Sequence, residues 1–251
     1  MKYALKDAVI LDGTKDMEPL RGHSVLVEGE TIVGLAPAGS EPMGFEPVDL
    51  TGKYLMPGLF NMHVHLAGSG KPQKKQRDNE KLVKTIMGSG LTRAVAYSMV
   101  RGLARDELRS GVTTIRTMGG LGNFDSRLRD EIAAGRQDGP RILAANQGIS
   151  VPCGHMAGSV AIAARSIDEA LAHDIPVVLG NDVGCPWITQ YDFWRELYYF
   201  HKFVGVSNAF ALYTATSRSA ELAGLGDVTG TVAAGKCADL IVTAENPLDD
   251  L

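Results

Sequence analysis

The chain has 251 residues, 45% hydrophobic and 22% charged, enough for one large α/β domain or two smaller ones around a packed core. A formal net charge of −4 leaves no basic footprint for nucleic acid. No run of about 18 apolar residues offers a membrane span, so neither nucleic acid nor membrane is an expected partner.

Residues 1–53 read as short strands between Gly and Pro breaks, in "YALKDAVILDG", "GHSVLVEGETIVGL" and "EPVDLTGKYL". A related pattern returns at 226–251 with the strand "ADLIVTA", so the two ends are expected to pair into one β-sandwich around the region 54–225. That region opens with "YLMPGLFNMHVHL", a short apolar run fit for a buried strand, followed by the polar stretch "SGKPQKKQRDNEK". Next come a helical segment, "LTRAVAYSMVRGLARDELRSG", and a buried strand, "VTTIRTMGG". "SRLRDEIAAGRQ" predicts a helix with Ser126 as N-cap, "PRILAANQGIS" a strand, and "SIDEALAHD" a helix with Ser166 and Glu169 in capping-box spacing. "IPVVLGNDVG" predicts a strand ending in an aspartate, and helices follow in "YDFWRELYYFHKFVG" and "SNAFALYTATSRSAELAG". Strands alternating with helices predict a parallel β/α architecture.

The chemistry gathers at strand ends. A strand alternates its faces with period 2, so His63 and His65 point the same way and form half of a metal site. A lone histidine is more simply a hydrogen-bonded core residue; an H-x-H pair after "MPGL" at a strand end reads as ligands. Asp182 ends the apolar run "IPVVLGN", where a carboxylate can bind a metal and take a proton from an attacking water, or merely cap a turn. His155, in "SVPCGHMAG", lies just beyond a strand and reads as either a substrate contact or a loop histidine. His23, His173 and His201 read as structural. "GSGKP" fails the P-loop pattern, because Pro72 follows Lys71. "YDFWRELYYF" is most simply a packing helix, with Tyr191 and Trp194 as possible pocket residues.

Four segments, "MPGLFNMHVH", "GVTTIRTMGG", "GNDVGCP" and "GTVAAGKCADLIV", together resemble the amidohydrolase superfamily, in its imidazolonepropionase-like and prolidase-like branch. The resemblance implies an α/β fold: a TIM-type (β/α)8 metal-dependent hydrolase barrel flanked by a small β-sandwich. It implies His63 and His65 as metal ligands on the first strand. Asp182 is implied as the last-strand aspartate, both ligand and general base, and His155 as a substrate-binding residue. It further implies a divalent metal, one or two zinc ions, and cleavage of a C–N bond in a small amide or peptide, such as a dipeptide or an N-acyl amino acid.

The chain departs from that pattern in its middle. A full barrel takes about 250 residues, whereas residues 54–225 supply only about 170 and four recognisable strands, those resembling strands one, two, three and eight. The middle strands that normally bring a bridging lysine and two more histidines are not recognisable. Either the sequence omits segments of the protein, or the product is a truncated remnant, or the half-barrel completes itself as a homo-oligomer, since exposed parallel edges are hazardous. The rival functions are accordingly a non-catalytic binding or structural subunit, a cyclic-amide hydrolase, and a decarboxylase or isomerase on the same scaffold. Three scattered cysteines (Cys153, Cys185, Cys237) with no apolar signal-peptide core predict a cytoplasmic location.

Overall fold

The computed structural model describes residues 1–72, 79–146, 167, 170–173 and 175–251. The chain divides into two compact units, Met1–Leu59 with Gly158–Val178 and Leu197–Leu251, and Phe60–Ala157 with Leu179–Glu196.

In the first unit, strands β1 (Lys2–Lys6), β3 (His23–Glu28), β4 (Thr31–Pro37) and β5 (Glu46–Asp49) form a sheet in the order β4-β3-β1-β5. Strands β2 (Val9–Ile10) and β6 (Tyr54–Pro57) form another with the last strand, β10 (Leu240–Thr243), in the order β10-β6-β2. Chain start and chain end therefore meet in one sheet: β10 runs antiparallel to β6, with Leu240 opposite Pro57 and Thr243 opposite Tyr54. The alternation of β3 explains the layering. Val25 and Val27 face one way and join Ile10, Ile32, Leu55 and Val232 in a dry core contributed by both sheets. Leu26 faces the other way, against Ala4 and Ala36.

The C-terminal helices differ from their sequence pattern. Residues 207–224 read as one helix, but two form: α5 (Asn208–Thr214), capped by Ser207, and α6 (Ser217–Leu222). Thr216 leaves helical geometry at φ −126° and its hydroxyl donates to the Leu212 carbonyl at 2.7 Å, an alternative to the backbone ladder open to Thr. Upstream, α4 (Trp194–Tyr199) widens into a π-turn over Phe200–Val204 that ends at Gly205.

In the second unit, β7 (Leu59–Val64), β8 (Val112–Thr117) and β9 (Arg141–Leu143) form a sheet in that order, with β8 and β9 parallel. Helices α1 (Asn79–Met87) and α2 (Gly90–Arg109) connect β7 to β8, and α3 (Phe124–Ala133) connects β8 to β9. The Ser89 hydroxyl caps α2 by accepting from the Thr92 backbone N–H at 3.1 Å. Helix α3 begins at Phe124, so Ser126 lies inside its first turn rather than at its cap, and the Ser126 N–H is satisfied by Asn146 Oδ1 at 3.0 Å.

"IPVVLGNDVG" forms no regular strand but lies beside β7 on the edge away from β8. The Met62 N–H donates to the Leu179 carbonyl, the His65 N–H donates to the Val183 carbonyl, and Val64 bridges Val183 in parallel. The order, segment 179–183, β7, β8, β9, is that of the eighth, first, second and third strands of a β/α barrel, and the fold is a partial barrel of this type. The helix expected around 166–174 falls largely outside the described residues, as do most of the polar stretch after β7 and His155 with Cys153.

Candidate metal centre

The period of β7 places Asn61, His63 and His65 on one face, with Phe60, Met62 and Val64 buried on the other. His65 lies one residue past the strand, and its Nδ1 is 3.1 Å from the Gly119 carbonyl beyond β8. A proton on Nδ1 satisfies that carbonyl and leaves the Nε2 lone pair for a cation, the usual way a second partner fixes a ligand tautomer.

Asp182 completes the cluster. His63 Nε2 is 3.3 Å and His65 Nε2 3.1 Å from Asp182 Oδ1, and the two rings are tilted at 60° with centroids 5.3 Å apart. One ligand atom from each of the three residues lies within 4.8 Å of the others, and this is the one such His/Cys/Asp/Glu group among the described residues. Asp182 Oδ1 is buried and makes no hydrogen bond of good geometry, although two ring nitrogens converge on it. A buried carboxylate oxygen facing two imidazole nitrogens is an arrangement that a cation satisfies, and a N,N,O donor set suits zinc.

Backbone geometry makes the convergence possible. Asp182 adopts φ +57°, a left-handed conformation that Asp tolerates better than most residues. Gly180 lets the segment approach β7: a Cβ there would fall 2.7 Å from both the Cβ and the backbone nitrogen of His63. Gly184, at φ +101°, passes directly against the His65 carbonyl, where no side chain fits.

The electrostatics favour neutral, metal-ready imidazole at His63. Its pKa is lowered, chiefly by burial, with the Asp182 charge opposing and the charges of His65 and Arg116 assisting. The Cys185 thiol is pushed up to about 11 by burial and by its hydrogen bond and charge interaction with Asp182, so it stays protonated beside the cluster.

Sequence reasoning missed the polar groups beneath and beside these three. Asn61 is fully buried, and its Nδ2 donates to Asn181 Oδ1 at 2.8 Å. Glu107 of α2 is fully buried, and desolvation raises its pKa to about 8 against the opposing influence of Asn61; neither carboxyl oxygen makes a hydrogen bond of good geometry. Asp125 at the start of α3 is buried near His65, its pKa raised by desolvation and partly restored by Thr117, Asn146 and the His65 charge. Asn61 carried a signal, since it shares the period-2 face of the histidines. Glu107 and Asp125 lie in amphipathic helices, where an acidic residue ordinarily reads as solvent-facing. Tyr191 and Trp194 are about half exposed, and Tyr191 donates its hydroxyl to Asp106 at 3.2 Å.

The amidohydrolase family model matches residues 54–174. Imidazolonepropionase of Paenarthrobacter aurescens (strain TC1) is 26% identical over 168 residues, covering 65% of this chain and 36% of that one. Imidazolonepropionase of Klebsiella pneumoniae subsp. pneumoniae is 32% identical over 117 residues, covering 41% and 29%. The chain thus spans about a third of the length of these curated relatives. Among solved structures, a Xaa-Pro dipeptidase with bound methionine in its active site superposes with a TM-score of 0.79 at 17% identity, covering 100% of this chain and 95% of that one. At that identity the likeness establishes the fold.

Proposed function

We propose that the chain, whose residues 54–174 match the amidohydrolase family model, is a metal-dependent hydrolase of a C–N bond in a small amide or peptide. The observation that carries this reading is the convergence of His63 Nε2, His65 Nε2 and the otherwise unpartnered Asp182 Oδ1. These three residues hold one divalent cation, zinc by donor chemistry; a second ion needs ligands beyond the described group. When bound, the metal supplies an acidified water as nucleophile and polarises the substrate carbonyl.

The chain's own residues do the rest. The side chain of Asp182 is 41% exposed, so water and substrate reach it. Asp182 takes the proton of the attacking water as the C–O bond forms, then delivers it to the nitrogen as the C–N bond breaks. One carboxylate therefore serves as base and then as acid, and no proton is lost from the balance. His63 and His65 would hold the cation through Nε2.

The substrate we favour is a dipeptide or N-acyl amino acid. The Xaa-Pro dipeptidase neighbour supports it, while the imidazolonepropionase relatives support a cyclic amide. His155 is proposed to contact substrate. A cytoplasmic location and a homo-oligomer complete the proposal; among the described residues no helix is long and apolar enough to cross a membrane.

The test is a panel of dipeptides, N-acyl amino acids and cyclic amides offered to the zinc-loaded protein. Hydrolysis of one class, abolished by a chelator and by Asp182→Asn, is expected. A zinc-loaded protein that hydrolyses none of them favours the second reading, a non-catalytic remnant.

A further inference from the structure

Segment 179–183 carries Asp182, yet it is not a regular strand. It meets β7 through a parallel bridge at Val64 and Val183, and Asp182 itself leaves extended geometry at φ +57°. An irregular backbone does not hold register by ladder alone, and a slip of one residue would turn a strand's side chains to the opposite face. Something further must fix Asp182 relative to the histidines.

Two buried amides occupy that place. Asn61 is 0% and Asn181 4% exposed. Asn61 Nδ2 donates to Asn181 Oδ1 at 2.8 Å across 120 positions of sequence. Asn61 Oδ1 accepts from the His63 N–H at 3.3 Å and from the Asn181 N–H at 3.4 Å. Asn181 Oδ1 accepts from the Val183 N–H at 3.2 Å. The backbone N–H groups on both sides of Asp182, and that of His63, are all held by these two side chains. Their desolvation is costly, and Asn181 Nδ2 finds no acceptor. Apolar side chains would cost less here, so stability alone does not account for the amides; they impose one register.

We infer that Asn61 and Asn181 form a buried amide clamp that sets the spacing between His63, His65 and Asp182 and thereby the affinity of the centre for its cation. Asn61 and Asn181 are positioning residues that act through the ligands, and the inference rests on the metal-centre reading above.

The experiment measures zinc affinity by competition with a chelating dye, and the visible absorption of the cobalt-loaded protein, in wild type, Asn61→Leu, Asn61→Asp and Met62→Ala. Outer-shell partners of metal ligands typically contribute about 10- to 100-fold in affinity, and that loss is expected for Asn61→Leu, with a shifted cobalt spectrum. Asn61→Asp keeps both acceptor contacts and loses the donor to Asn181, so a smaller loss is expected. Met62 is buried on the opposite face of β7. Met62→Ala should lower thermal stability while leaving zinc affinity and the spectrum unchanged. Zinc affinity of Asn61→Leu within twofold of wild type, or equal weakening by Met62→Ala, overturns the clamp and spares the metal centre. Should Asn61→Leu fail to fold, unchanged affinity in Asn61→Asp overturns it. A wild-type protein that binds no zinc overturns the metal-centre reading and the clamp with it.

Discussion

The β-unit built from both chain ends and the barrel unit that carries the histidines bury different things. The first closes on Ile10, Val25, Val27, Ile32, Leu55 and Val232, and the polar side chains it buries, Ser24, Thr214, Thr216, Ser217, Ser219 and Thr229, are all hydroxyls. The second buries Asn61, Glu107, Thr114, Thr117, Asp125 and Asn181 close to its strands. A hydroxyl bonded to a nearby carbonyl is buried at little cost, as at Thr214, Thr216, Ser217 and Ser219, whereas buried carboxyls and amides cost stability, so the contrast separates a region selected for packing from one where geometry has been kept at a cost. Substitutions should therefore divide: those in the apolar core of the first unit move stability and leave metal binding alone, and those at the buried amides and carboxyls of the second move metal binding or pH dependence.

The largest effect is expected at the centre. Asp182→Asn should lower turnover by about 10²- to 10⁴-fold, the usual worth of a positioned acid–base group, in a steady-state assay on the zinc-loaded protein with little change in thermal midpoint. A loss of folding there would erase the contrast. Leu55→Ala in the dry core should destabilise by about 2–5 kcal/mol in denaturant titration, with zinc affinity unchanged.

Glu107 sharpens the comparison through pH. Its carboxyl ionises at 4.5 when unfolded and at about 8 in the folded chain, so folding takes up a proton between those values. Stability falls as pH rises across that window and levels off above it. Glu107→Gln should remove the dependence and raise stability near pH 8 by up to about 5 kcal/mol, read from unfolding curves between pH 5 and about 9. The smallest effect is expected at the exposed cap of α2, where Ser89→Ala should cost about 1 kcal/mol and alter neither metal binding nor the pH profile.

Much of this was legible in the sequence. The period-2 spacing of His63 and His65, the aspartate ending the run at Asp182, and the alternation of strands with helices need no partner to be read. The rest depended on contacts distant in sequence or on backbone departures from a regular period. The Asn61–Asn181 bond joins residues 120 apart. Gly180 and the left-handed Asp182 interrupt what reads as a strand, and the hydroxyl of Thr216 splits what reads as one helix. Glu107 sits on the buried side of a helix whose opposite side exposes Leu91, Val95 and Met99, an inversion that periodicity alone assigns wrongly.

The central claim is that this chain assembles a metal centre from His63, His65 and Asp182. Elemental analysis of the purified protein beside the His63→Ala, His65→Ala double variant tests it most directly. The account predicts one zinc-like ion or more per chain, lost in the variant while the fold persists by circular dichroism. Metal content in the wild type no higher than in the variant would contradict it.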